Sequence, residues 1–397
     1  RTRETGDRIN GRAGLKPRPP FLRSTRCPDR ARDVEGVGAL RRCGGVMLGI
    51  ERPFVDRAAR GWRLAALALL VVVPAQAHHS AKIFETTVIA LPGTVTRYGW
   101  TNPHTYIHVE TLDQNGEPVE WEIETDAIPI LVRSGWGPDS FAPGDEVLIR
   151  ARPDRNRDRR HALLVSAEKA DGTVLAARTY FLAREEDLDT RPRATDFSGI
   201  WELRFEDYGR YYASWAQVRL TEAGAAASAA YDVRLDSPAA QCVAAPLPSL
   251  LVAPYLFEIE IRDNAVVLRN ERFNAERFIW TDGRGHPENG ERTNHGHSIG
   301  HWEGDTLVVD TTLFADHRAP ISGQQGNEGV PAGAQKHVVE RYRLSEDRTR
   351  LLIDFVLEDP EFLAEPFTGS VQWFYAPHFE YLGFGCDVDI SLRYTLQ

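Results

Sequence analysis

Histidine is concentrated in residues 282–312, which read DGRGHPENGERTNHGHSIGHWEGDTLVVDTT. The stretch holds His286, His295, His297 and His301, with His317 just beyond it. Imidazole titrates near neutral pH, so a histidine held by a carboxylate can take and return a proton without a cofactor. His297 is the candidate general base or acid, with Asp282 or Glu303 orienting its ring and His286 assisting. That chemistry suits isomerisation, dehydration or hydrolysis. The same residues also fit metal ligation through His295, His297 and His301, or plain hydrogen bonds that hold a turn. A serine nucleophile is not expected, because Ser298 lacks the G-x-S-x-G elbow.

A second candidate set lies near the front of the chain. Processing after Ala77 would make His78 the amino terminus, and its amine and imidazole together can chelate copper or zinc. His104 and His108, four apart in an expected strand, share a face and would complete the site. The alternative is that His78-His79-Ser80 only favours clean processing and that His104 packs the turn after Pro103. Glu120, Glu122 and Glu124 read as a solvated strand face.

Those termini matter because residues 47–77 have the plan of a secretory signal. Arg52, Arg57, Arg60 and Arg63 precede a short apolar core at 64–73, and Ala75-Gln76-Ala77 supplies a small-x-small cleavage site. The apolar core is too short to span a bilayer, which takes about 20 residues, so no membrane span is expected in the mature form. Met47, the only methionine, is the expected start, and residues 1–46 read as upstream sequence or a disordered extension. A periplasmic or secreted location follows. Residues 1–77 hold 16 Lys+Arg and 7 Asp+Glu against 47 and 57 in the whole chain, so the remainder carries a net charge of about −19. That balance argues against nucleic acid or anionic lipid as partner. Cys242 and Cys386 are the two cysteines left after processing, and in an exported chain they are expected to pair.

The elements that must position these groups are strands. Residues 78–176 show alternating runs at 93–98, 104–110, 119–124, 146–151 and 161–167, with an Asn115-Gly116 hairpin turn and a short helix over 126–133. Three strands, a helix and two strands is the order of an oligomer-binding-type small barrel. This module resembles a family of small exported bacterial proteins of unknown function that begin AHHS and carry a WTNPH motif. Here those are Ala77-His78-His79-Ser80 and Trp100-Thr101-Asn102-Pro103-His104. The resemblance implies an exported barrel and no activity.

Residues 177–195 read as a linker. From 196 to 397, short apolar runs at 217–220, 256–261, 266–270, 276–281, 305–311, 337–344, 351–357, 371–374 and 389–396 argue a larger antiparallel barrel, with a helix over 223–231. Gly199-Ile200-Trp201 resembles the opening of lipocalin-like barrels. This half also resembles a recurrent exported bacterial domain carrying DGR-HP, GHSIG-WEGDTLVVDT, VERYR and EDP motifs, here between Asp282 and Pro360. His301 departs from that pattern, which more often has an arginine there. The expected whole is all-β, a small oligomer-binding-type barrel followed by a lipocalin-like one. A small, largely apolar molecule is the expected partner, in a pocket walled by Trp201, Trp215, Trp280, Trp302 and Trp373. The histidines after Trp280 would then face inward at its mouth.

Overall fold

The computed structural model describes residues 83–176, 191–215, 218–231, 236, 238–315 and 333–392, all within one unit spanning 71–397. The extension, the signal segment, His78, His79, His317 and residues 177–190 of the linker lie outside the described residues.

Six strands build the first barrel: β1 Ile89–Gly99, β2 Tyr106–Leu112, β3 Pro118–Glu124, β4 Glu146–Pro153, β5 His161–Lys169 and β6 Val174–Ala176. They run β3-β2-β1-β4-β5-β6, and a parallel β3–β5 pairing closes the first five into a ring, the closure of the oligomer-binding barrel. Alternation places Val95, Ile107, Val109, Ile123, Ile149 and Leu164 in one core. β1 approaches β2 so closely at Gly93 that a Cβ there would sit 2.3 Å from the Glu110 carbonyl oxygen, so only glycine fits. Between β3 and β4, helix α1 (Ile128–Arg133) adds Leu131 to the core. Its own cap residue, Ala127, offers no side-chain acceptor. Asn102 of the WTNPH motif supplies one instead, its Oδ1 accepting from the Ile128 N–H at 2.9 Å.

The larger barrel has nine strands: β7 Gly199–Leu203, β8 Phe257–Arg262, β9 Ala265–Asn270, β10 Ala275–Trp280, β11 His297–Glu303, β12 Thr306–Thr312, β13 His337–Leu344, β14 Arg350–Glu358 and β15 Phe367–Tyr375. The ring closes in the order β10 to β15, then β7, β8 and β9. One junction, β10–β11, is parallel. Residues 281–296 must therefore carry the chain back along the barrel before β11 begins, and they include His286.

Three further α-helices are described, α2 (Phe205–Ser214), α3 (Glu222–Ala230) and α4 (Val388–Leu392). Of these three, only α3 is expected from the sequence. α2 packs on β15, whose length exceeds that of its partner β7, and buries Tyr208 and Tyr211 there. The strand expected at 217–220 reduces to an isolated bridge from Leu220 to Leu363, and the described part of 389–396 is helical.

Two links join the barrels. Arg133 of α1 makes a bidentate pair with Glu271 at 2.9 and 2.6 Å, and Glu271 also accepts from the N–H groups of Leu256 and Leu382. The Cys242–Cys386 disulfide holds the C-terminal segment where the Asp387 N–H donates to the Asn102 carbonyl at 2.9 Å. The bond spans a sequence separation of 144. Replacing both cysteines by serine should lower the unfolding free energy by about 3–5 kcal/mol, because loops this long lose much denatured-chain entropy when closed. Urea melts of the double variant, beside those of the oxidised chain, measure it.

Candidate functional site

Successive side chains of a strand point to opposite faces, so an unpaired charge beside inward residues goes to the outer face. β12 shows this: Val309 and Thr311 point into the barrel, so Asp310 between them points out. The register sets Asp310 beside Ile299 of β11 and Val339 of β13, while His337 pairs with Glu358 of β14. His297 opens β11 on the same outer face, opposite Thr312.

The returning segment 281–296 completes the arrangement by laying His286 across this wall. His286 Nε2 lies 2.9 Å from Asp310 Oδ1, and its Nδ1 lies 2.9 Å from His297 Nδ1. On the other side, His337 Nε2 lies 3.0 Å from Asp310 Oδ2 and its Nδ1 3.2 Å from Glu358 Oε2. The result is a continuous chain, His297–His286–Asp310–His337–Glu358. All its members are partly open to solvent.

Tautomers follow from the chain. Asp310 accepts from both Nε2–H groups, so a neutral His286 keeps its Nδ1 lone pair and accepts from His297 Nδ1–H. His297 then carries its own lone pair on Nε2. Burial, His286 and Arg284 hold the His297 pKa below the ordinary value, which keeps that nitrogen a base near neutrality. Burial pushes Asp310 up, but His337 and His286 outweigh it and the carboxylate sits below its usual range. Burial works against the charged form of His337 too, and Asp310 with Glu358 raises it regardless.

Of the residues expected from sequence, the structure brings His286 and His297 together and leaves the others elsewhere. Asp282 is engaged by Arg284, which lies 3.9 Å above the Trp280 ring. Glu303, at the far end of β11, pairs with Arg341 at 2.5 Å and with His301 at 3.3 Å. Neither carboxylate orients His297. Asp310 acts on it only through His286, and its place directly after the apolar Val309 in a strand was the signal for it. His295, His297 and His301 point to three different places: His295 faces the Glu276 carbonyl at 3.4 Å, His297 faces His286, and His301 is exposed.

The histidines at 286 and 297 thus lie on the outer wall, not inward at a mouth. The interior is taken by the chain's own side chains. Trp201 and Trp373 are fully buried, with Trp373 stacked on Phe257 at 3.9 Å, and their indole N–H groups donate to the carbonyls of Phe197 and Leu251. Leu247, Leu250, Leu251 and Val252, from the apolar stretch before β8, join the same core. That stretch fills the space an apolar ligand would take. Trp280 instead stacks on Phe278 at the outer face, and Trp302 is 44% exposed against Phe197. Two open grooves, of about 730 Å³ along β1 and β4 and about 520 Å³ between α2 and β15, hold none of these histidines.

In the first barrel, His104 and His108 do not share a site. His104 precedes β2 and faces Glu124 at 3.3 Å and the Thr125 carbonyl at 3.2 Å. His108 Nε2 accepts from Arg97 at 2.6 Å. The expected solvated face is also partly buried. Glu124 contacts His161 Nε2 at 3.1 Å, and His161 Nδ1 reaches Asp154 at 3.3 Å. Burial opposes the charge on His161, yet Asp154 and Glu124 raise its pKa to about 9. Among the described residues, no three His, Cys, Asp or Glu side chains gather into a metal-binding set, and no helix is long and apolar enough to cross a membrane.

Residues 66–163, about a quarter of the chain, match a family of unknown function (DUF6152). The match ends within β5 of the first barrel, so the larger barrel and its histidine chain lie beyond it. No curated protein matches the chain.

Proposed function

We propose that this is an exported two-barrel protein whose outer-wall histidine chain performs acid–base chemistry on a small polar molecule. His297 Nε2 takes the proton, His286 relays charge, and Asp310 holds His286 in the tautomer that keeps His297 basic. The observation that carries this is the 2.9 Å contact on each side of His286, which links a solvent-facing imidazole to a carboxylate through one ring. Isomerisation, dehydration and hydrolysis all fit a site with this equipment.

Export rests on the signal-like residues 47–77 and on a disulfide that belongs in an oxidising compartment. The AHHS and WTNPH motifs, and the GHSIG-WEGDTLVVDT motif, tie the two barrels to exported bacterial families by resemblance. Within the second motif, His297 and Asp310 acquire a shared role.

The test uses 4-nitrophenyl acetate as a generic proton-transfer probe. The wild-type chain should hydrolyse it with a rate that rises as pH climbs through the lowered His297 pKa. His297→Ala should lose about 10²-fold, and Asp310→Asn should lose less while moving the pH profile. Equal rates for wild type and His297→Ala, in variants with unchanged circular dichroism, would reject the proposal.

A further inference from the structure

Asp207, Arg210, Tyr211 and Ser214 recur at the i, i+3, i+4, i+7 spacing of one helical face, and in α2 that face is turned to the outer wall of the larger barrel. Tyr211 anchors it: the ring is 5% exposed and its hydroxyl lies 3.2 Å from Ser249 Oγ. The other three are polar. A helix face that packs on a sheet is ordinarily apolar, and here the polar side chains border an open groove of about 520 Å³.

Registered rows of the outer wall make the floor of this groove. Arg343, Leu352 and Gln372 lie side by side on β13, β14 and β15, and Asp354 pairs with Ser370 in the row beside them. A strand spacing of about 4.8 Å puts successive polar groups within the span of one six-membered ring. These groups are linked, but loosely. Gln372 Nε2 lies 3.4 Å from each Asp207 oxygen, Arg350 reaches Gln372 Oε1 at 3.3 Å, and Arg343 stands 3.5 Å from Asp354. Good bonds of this kind close to about 2.9 Å, so the same donors and acceptors keep capacity for a further partner. Asp207, also paired with Arg210, is 8% exposed and meets an entering molecule with little competition from water.

The charges decide the kind of molecule. Two carboxylates, Asp207 and Asp354, balance two guanidiniums, Arg210 and Arg343, in the lining, so the groove as a whole attracts neither an anion nor a cation. What it offers is a dense mixture of donors and acceptors around one apolar side chain, Leu352, in a volume typical of small-molecule sites. We propose that the groove between α2 and β15 binds a neutral saccharide, with Asp207, Gln372 and Arg343 taking its hydroxyls and Leu352 meeting the C–H face of a ring. Each sugar hydroxyl both donates and accepts, which matches carboxylate, amide and guanidinium groups set side by side. No member of the histidine chain lines the groove, so this site stands apart from it.

The intact chain is titrated with neutral pentoses, hexoses and disaccharides, and with glucuronate and glucosamine as charged counterparts of glucose. Binding is read by saturation-transfer difference NMR and calorimetry. At least one neutral sugar should saturate, and Asp207→Asn and Gln372→Leu should each weaken it about 10-fold, the effect of losing one hydrogen bond to a charged or buried group. Arg343→Ala repeats the test at a side chain that is 50% exposed, where the fold is not at stake. The proposal is overturned if no neutral sugar saturates, if folded variants bind as the wild type does, or if glucuronate or glucosamine binds more tightly than every neutral sugar.

Discussion

Glu340→Ala should cost the larger barrel about 3–5 kcal/mol, because it strands a guanidinium in a sealed interior. Arg277 and Glu340 are 3% and 0% exposed. Arg277 Nε donates to Ser298 Oγ at 2.9 Å, Nη1 to Glu340 Oε1 at 3.0 Å, and Nη2 to Thr311 Oγ1 at 2.8 Å and to the second Glu340 oxygen. Tyr342 adds its own bond to Glu340 at 2.7 Å. These five residues come from four adjacent strands, β10 to β13, so one guanidinium ties the inner faces of all of them, including the parallel junction. Removing the carboxylate leaves the buried charge without its counter-ion. Replacing both residues, as in Arg277→Met with Glu340→Leu, should be far milder, since it removes the desolvation cost along with the attraction. Urea denaturation of the three chains decides the matter: a single Glu340→Ala loss below about 1 kcal/mol would show that the pair adds nothing net.

The second large effect lies in the first barrel and depends on pH. His161 is 1% exposed between Glu124 and Asp154, with Phe84 against its ring at 5.0 Å and Arg159 3.6 Å from Asp154. Its folded pKa of about 9 exceeds the ordinary 6.5. The folded state therefore binds the proton more tightly than the unfolded one. Its contribution is complete below 6.5 and fades as pH rises through 9, amounting to about 3 kcal/mol at roughly 1.4 kcal/mol for each tenfold in proton affinity. Asp154 behaves oppositely. Its folded pKa is lowered, so its contribution is present above the ordinary 3.8 and is lost as pH falls through the folded value. Thermal melts from pH 3 to 10 should thus show stability falling on both limbs. His161→Gln should flatten the alkaline limb; an alkaline limb that stays as steep in the variant would show that another group causes it.

Both networks show where sequence reasoning stops. Glu120, Glu122 and Glu124 form one alternating set, and alternation alone makes them a solvated face. It could not distinguish Glu120, which stays exposed, from Glu124, which β5 buries. The reason is that β3 and β5 pair in parallel across a gap of some 40 residues, so His161 arrives from elsewhere in the chain. The same holds for Asp310. Its outward direction is readable from Val309 and Thr311, but its partners His286 and His337 are 24 and 27 residues away.

The amino-acid sequence by itself determined the all-β class, the order of strands in the first barrel, the α1 helix, the Asn115-Gly116 turn and most strands of the second half. Period-2 alternation and turn chemistry act over neighbouring residues, so they can be read along the chain. Tertiary structure alone decided the parallel β10–β11 junction, the α2 helix on β15, the filling of the larger barrel by the Leu247 stretch, and the outward placement of the histidines. Each of those depends on which distant segment supplies a pairing edge or a surface to bury against, and local periodicity carries no record of that choice.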